Sequence, residues 1–174
     1  MAHEINFVIA GIDLAAKPKN PSGICLFESM DKYELFTLYG DEEIVEAVNG
    51  KNAEIIAIDA PLMEEIRMRE ADRILKKYGA MPPTMPGMRL LVKRAKKLVR
   101  LLNGVVIEVF PTASAKILGI YDKDYRKMME KLNIEAKNKH ELDAYIAAYT
   151  GYLYKKGLCE EVGNKEKIII PKKI

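Results

Sequence analysis

A chain of 174 residues, 49% hydrophobic and 30% charged, is long enough to bury roughly 70% of its unfolded surface around one core, so a single domain over residues 1–174 is expected. Its net charge of +3 permits nucleic acid as a partner but falls well short of a polybasic signature. Cys25 and Cys159 stand far apart without a CxxC, which excludes a disulfide framework and a zinc site; no run approaches the roughly 18 apolar residues of a membrane span, and no signal-peptide pattern opens the chain, so a cytoplasmic, non-membrane protein is expected.

Residues 5–12 read as a first strand, residues 17–23 as a turn rich in Pro, Asn and Gly, and residues 24–28 and 33–39 as two further strands of an antiparallel meander. Asp41 is placed to cap a helix carrying Ile44, Val45, Ala47 and Val48, closed by Asn49-Gly50. A strand follows to Asp59, and Pro61 is expected to open a helix that runs to Tyr78 and stops at Gly79. Residues 80–88 hold three prolines and form a loop at a rim.

A basic helix over 89–102 puts Leu91, Ala95, Leu98 and Leu102 on one face and Lys93, Lys96, Lys97 and Arg100 largely on another. Then come a strand ending at Glu108, a short helix after Pro111-Thr112 to about Leu118, a charged helical stretch over 122–132, and a long helix over 138–156. Residues 167–170 read as one late edge strand that Pro171 cuts short. The fold class is therefore α/β with a mixed sheet, in which antiparallel strands 1–3 precede parallel strands with flanking helices. That is the element order of the ribonuclease H-like three-layer fold.

Four acids stand out against this frame. Asp13, Asp59 and Glu108 end short, β-branched-rich apolar runs, which places a carboxylate at the carboxyl rim of a sheet. Asp143 is a lone acid among Leu142, Ala144, Tyr145 and Ile146, a costly position for a charge without a partner, while Lys139 and Glu141 beside it read as solvated. Two carboxylates about 4 Å apart repel by roughly 4 kcal/mol at an effective dielectric near 20, so such a cluster needs raised pKa values or a bound cation. Mg2+ or Mn2+ fits that need through hard oxygen ligands. Taken singly, each acid also has a structural reading, as a turn cap or a surface ion pair.

Lys17 and Lys19 lie in the loop after Asp13, and Arg69, Arg89 and Lys93 lie between Asp59 and Glu108, so each is a candidate phosphate contact or an ordinary solvated charge. His140, one turn before Asp143, reads as a proton shuttle or, in the plainer view, an exposed residue at a helix start. GxxxxGK[ST], GxGxxG and GxSxG are all absent, and Leu14-Ala15-Ala16 after Asp13 lacks the glycines that a phosphate-cradling turn requires.

The segments Gly11-Ile12-Asp13-Leu14-Ala15, Ile58-Asp59-Ala60-Pro61-Leu62, Arg69-Glu70-Ala71-Asp72, Ile107-Glu108-Val109-Phe110-Pro111-Thr112 and Leu142-Asp143-Ala144-Tyr145 together resemble domain-of-unknown-function family 429, a family of predicted nucleases of ribonuclease H-like fold. The resemblance spans nearly the whole chain. It implies Asp13, Asp59, Glu108 and Asp143 as ligands of Mg2+ or Mn2+, with Arg69 and Asp72 near the site. The leading expectation is a metal-dependent phosphodiester hydrolase, in which Asp13 bridges the metals, Asp59 and Asp143 complete ligation, and Glu108 is a ligand or water-orienting base. Lys17, Arg69, Arg89 and Lys93 would meet nucleic acid, and a homodimer would allow two strands to be spanned. The alternatives are a non-catalytic nucleic-acid-binding module of the same fold and a phosphotransferase of the actin-like superfamily.

Overall fold

The structure, a computed structural model, describes residues 7–173; residues 5 and 6 of the expected first strand lie outside the described residues. Strands β1 (Ile9–Asp13), β2 (Ser22–Ser29) and β3 (Lys32–Leu38) form the expected antiparallel meander. Helix α1 (Asp41–Gly50) leads to β4 (Ile55–Asp59), and α2 (Glu70–Ile74) with a 3-10 turn (Leu75–Tyr78) leads to α3 (Pro86–Val99). Strand β5 (Val105–Val109) is followed by α4 (Pro111–Ile117), α5 (Tyr125–Leu132), α6 (Lys139–Lys155) and the hairpin β6 (Cys159–Val162) and β7 (Ile168–Pro171). These make one seven-stranded sheet in the order β3-β2-β1-β4-β5-β7-β6. Its centre is parallel, β1 with β4, β4 with β5 and β5 with β7.

Continuous apolar runs in β1 and β4 fill both faces of the sheet, as parallel strands covered by helices require. Ile9, Ala57, Ile107 and Val109 face α6, where Tyr145, Ala148 and Leu142 meet them. Ala10, Ile12, Ile56 and Ile58 face α1 and α3, through Ile44, Val48, Ala95 and Leu98. Helix α6 lies very close to the sheet because two glycines leave room for it. A Cβ on Gly11 would sit 2.0 Å from the Ala144 carbonyl oxygen, and one on Gly23 would sit 1.9 Å from that of His140. The amino end of α6 is thereby pressed onto β1 and β2, directly above the end of β1.

Three expectations need correction. Residues 61–69 are not helical, and α2 begins only at Glu70. The Leu62 N–H donates to Glu108 Oε1 and the Leu62 carbonyl accepts from Arg69 Nη1, so both backbone groups are withdrawn from any helical ladder. Helix α3 starts at Pro86 rather than residue 89, with proline in the first turn, where its missing N–H has no cost. The C-terminal segment makes two strands instead of one, and β7 lies inside the sheet between β5 and β6. Pro171 is accommodated at its end, opposite Cys159. Among the described residues no helix is long and apolar enough to cross a membrane.

Candidate active site at the carboxyl rim of the sheet

Asp13 and Asp59 are the last residues of neighbouring parallel strands, and they are paired in register. Side chains in register on adjacent strands point the same way, so the two carboxylates stand side by side on the α6 face. Asp143, from the first turns of α6, joins them, and so does His140 one turn earlier, whose Nδ1 lies 3.1 Å from Asp13 Oδ2. The imidazole is 45% exposed and the Asp13 side chain only 16%. His140 is thus half open to solvent and touches Asp13.

The electrostatics follow from this crowding. Burial raises the Asp59 carboxyl well above the usual range, and Asp13, Asp143 and Glu108 raise it further. Burial and the charge of Asp13 push Asp143 up to about 7, against the pull of Lys139 and His140. Asp13 is also raised by burial, although His140 and Lys139 favour its ionised form. Each of these three carboxyls therefore resists ionisation, and positive charge placed among them would relieve that resistance.

Glu108 differs from these three in register and in its partners. It pairs in register with Ile58, one residue short of Asp59, and Ile58 belongs to the α1/α3 face of the sheet. A shift of one residue reverses the face, so Glu108 leaves β5 on the α1/α3 face and Val109 is the β5 residue on the α6 face, although the Glu108 side chain still lines the cavity that Asp13 and Asp59 line. Its Oε1 accepts from Arg69 Nη1 at 2.7 Å and from the Leu62 N–H at 2.7 Å, and its Oε2 accepts from Arg69 Nη2 at 2.9 Å. Burial pushes this carboxyl up to about 7, with Arg69 and Leu62 opposing that rise.

Arg69 is 4% exposed. Its guanidinium bonds Asp72 through Nε and Nη2, Glu108 through Nη1 and Nη2, and the Leu62 carbonyl through Nη1. All the donors of its planar fork are engaged, so the group locks the β4–α2 connection to β5 and has no N–H free for a phosphate. Arg89 and Lys93 lie exposed on the first turns of α3, and Lys17 is exposed in the β1–β2 loop; none of these three lines the cavities that hold the acids.

Two spaces meet at Asp13. One, about 320 Å³, lies between the sheet rim, residues 79–81 and α3, and includes Asp59, Glu108, Met88 and Leu91. The other, about 400 Å³, lies between the β1–β2 loop and the start of α6 and includes Asn20, Lys139, His140 and Asp143. A larger cavity of about 470 Å³ beside the 3-10 turn and β6–β7 contains none of the four acids, so donor chemistry rather than size marks the site.

Two residues that support the site were not anticipated. Arg94, 6% exposed, donates to the Ala15 and Tyr39 carbonyls, each at 2.7 Å, and to Asp41 Oδ1 at 2.8 Å, which fixes the loop after Asp13. Glu141 is 1% exposed, contrary to the expectation of a solvated charge. It accepts from Thr37 Oγ1 at 2.6 Å and from the Lys137 N–H at 3.1 Å, anchoring the helix turn that carries His140 and Asp143 to β3.

Among the described residues, no group of three or more His, Cys, Asp or Glu side chains is arranged to hold a metal ion as it stands. The donor chemistry of Asp13, Asp59 and Asp143 nevertheless suits a hard divalent cation, whose charge removes the repulsion that raises their carboxyls. No protein-family model matches the chain, and no curated protein matches it by sequence. Among solved structures, that of T. thermophilus RuvC in complex with Holliday junction substrate is similar to this one, with a TM-score of 0.53 and 11% identity, over 87% of this chain and 97% of that chain. The likeness is one of architecture, and with the strand order above it establishes that this chain has a ribonuclease H-like fold.

Proposed function

We propose that the protein is a divalent-metal-dependent nuclease acting on nucleic acid in the cytoplasm, in keeping with its resemblance to domain-of-unknown-function family 429. The observation that carries this reading is the in-register pair Asp13 and Asp59 at the ends of β1 and β4, with Asp143 crowding them and His140 bonded to Asp13. Asp13, Asp59 and Asp143 would hold Mg2+ or Mn2+, which supplies Lewis-acid polarisation and charge neutralisation for a phosphodiester.

Hydrolysis adds water across a P–O bond, so one proton must leave the attacking water and one must reach the departing oxygen. His140, half exposed and in contact with Asp13, is the group on this chain placed to hold such a proton at its imidazole. Glu108 and Arg69 set the position of the segment after Asp59 instead of meeting substrate. Arg89 and Lys93, exposed on α3, would offer charge to the nucleic-acid backbone outside the cleft. RuvC was solved on a Holliday junction, which makes a four-way DNA junction the natural first probe.

The test is cleavage of end-labelled junction, duplex and single-stranded DNA and RNA with Mn2+, repeated in chelator and with Asp13→Asn. The reading requires cleavage that both changes abolish; cleavage that survives Asp13→Asn sinks it. The exposed basic turns of α3 favour a second reading, a binding module without catalysis. That reading requires affinity that withstands chelator and falls with salt.

A further inference from the structure

The cleft beside Asp13 and Asp59 has two unlike walls. One is acidic, formed by the strand ends themselves; the other is apolar, formed by Leu14, Met81, Met88, Leu91 and Phe110. At about 320 Å³ the space falls at the small end of the range typical of pockets for organic ligands. The apolar wall is not the exposed side of a sealed core, since Met81 is 53% exposed and reaches into the opening from the residue-79–81 rim. Gly79, with φ of +95°, turns the chain there.

A phosphate held near the acids gains nothing from thioether and aromatic surface. The part of a nucleic-acid strand that does is the face of a base, which stacks on apolar side chains whatever its sequence. Methionine suits such a wall because it is polarisable and adapts its shape. Within a duplex both faces of a base are already stacked, so only a base freed from its neighbours can enter.

We propose that this cleft receives one unstacked nucleobase of the substrate strand, adjacent to the phosphate at Asp13 and Asp59; this rests on the nucleic-acid reading above. The continuity of the apolar wall with the acid pair in one cavity identifies the occupant as part of the same strand. Substrates with single-stranded, looped or branched character are then preferred over regular duplex.

The experiment is an abasic-site scan. Single-stranded oligonucleotides, each lacking one base at a different position, are bound to the wild-type protein with Ca2+ in place of Mn2+, so that the acid cluster keeps its neutralising cation, with affinity read by fluorescence anisotropy; cleavage of the intact strand in Mn2+ is recorded separately. The proposal predicts that one position weakens binding about ten- to a hundredfold, the range that loss of one stacked base produces, and that Met81→Ser/Met88→Ser flattens this dependence. Equal affinity at every position, as when the wall seats a small apolar ligand or another part of this chain, overturns the proposal and leaves the nuclease reading to the cleavage result. Absence of binding to every oligonucleotide overturns both.

Discussion

Replacing Asp143 by Asn removes a charge that the folded site resists, so the variant should be the more stable protein in chelator at alkaline pH. Burial and Asp13 move the Asp143 carboxyl from its ordinary 3.8 to about 7. Below pH 4 it is protonated in both folded and unfolded chains and contributes no penalty. Between pH 4 and 7 the unfolded chain ionises it while the folded chain holds the proton, so wild-type stability falls across this window and levels off above it. At about 1.4 kcal/mol per pKa unit the full shift corresponds to roughly 4 kcal/mol. Asp13 and Asp59 share in the titration of the cluster, so about half of that, roughly 2 kcal/mol, should appear as the gain of Asp143→Asn at pH 8. The assay is urea denaturation in EDTA at pH 5 and pH 8: the two proteins should be closest at pH 5 and separate at pH 8 in favour of the variant. Saturating Mn2+ should reverse the order, because an ion bound only by the folded wild type stabilises it by mass action. Parallel pH dependences, or a variant less stable at pH 8 in EDTA, would refute the crowding argument.

Three further outcomes follow from the same geometry. Glu108→Gln leaves part of the Arg69 charge unbalanced in a buried setting, and the melt should show a loss just under the roughly 3–5 kcal/mol of a broken buried ion pair, since Asp72 still engages Arg69; Mn2+ affinity should stay within a few-fold of wild type, whereas a ligand role would abolish it. Gly23→Ala drives a Cβ to 1.9 Å from the His140 carbonyl oxygen, so the variant should lose stability and cleavage together, while Gly87→Ala, with open space around its Cβ in the first turn of α3, should melt at or slightly above the wild-type temperature. His140→Ala should slow single-turnover cleavage by about a hundredfold or more, the scale of a lost proton-transfer group, and change the pH profile; an unaltered profile would remove His140 from the chemistry.

Much of the fold is legible from local pattern. The strand-ending Asp13 and Asp59, the meander and the long helix with Asn138 at its N-cap are written in apolar runs and punctuating residues. What was missed involves contacts distant in sequence. Pro61 suggested a helix start, yet the backbone of Leu62 answers to Glu108, 46 residues later. Glu108 looked equivalent to Asp13 and Asp59, although Val109-Phe110 after it shows the apolar run continuing, and that extra residue is the visible sign of reversed parity. The placement of His140 and Asp143 on one face of α6 follows from their spacing of three, whereas the contact of His140 with Asp13 does not. Glu141 offered no such signal, because its burial depends on Thr37 in β3. Nor did Arg94, whose acceptors lie in two other loops.

The central claim is that Asp13, Asp59 and Asp143 together form a cation site. Calorimetric titration of Mn2+ into the wild type and Asp13→Asn addresses it without any choice of substrate. The account predicts saturable binding by the wild type, with protons released as the raised carboxyls ionise, and its loss in the variant. Equal binding by both proteins would contradict it, and so would proton release unchanged by the substitution.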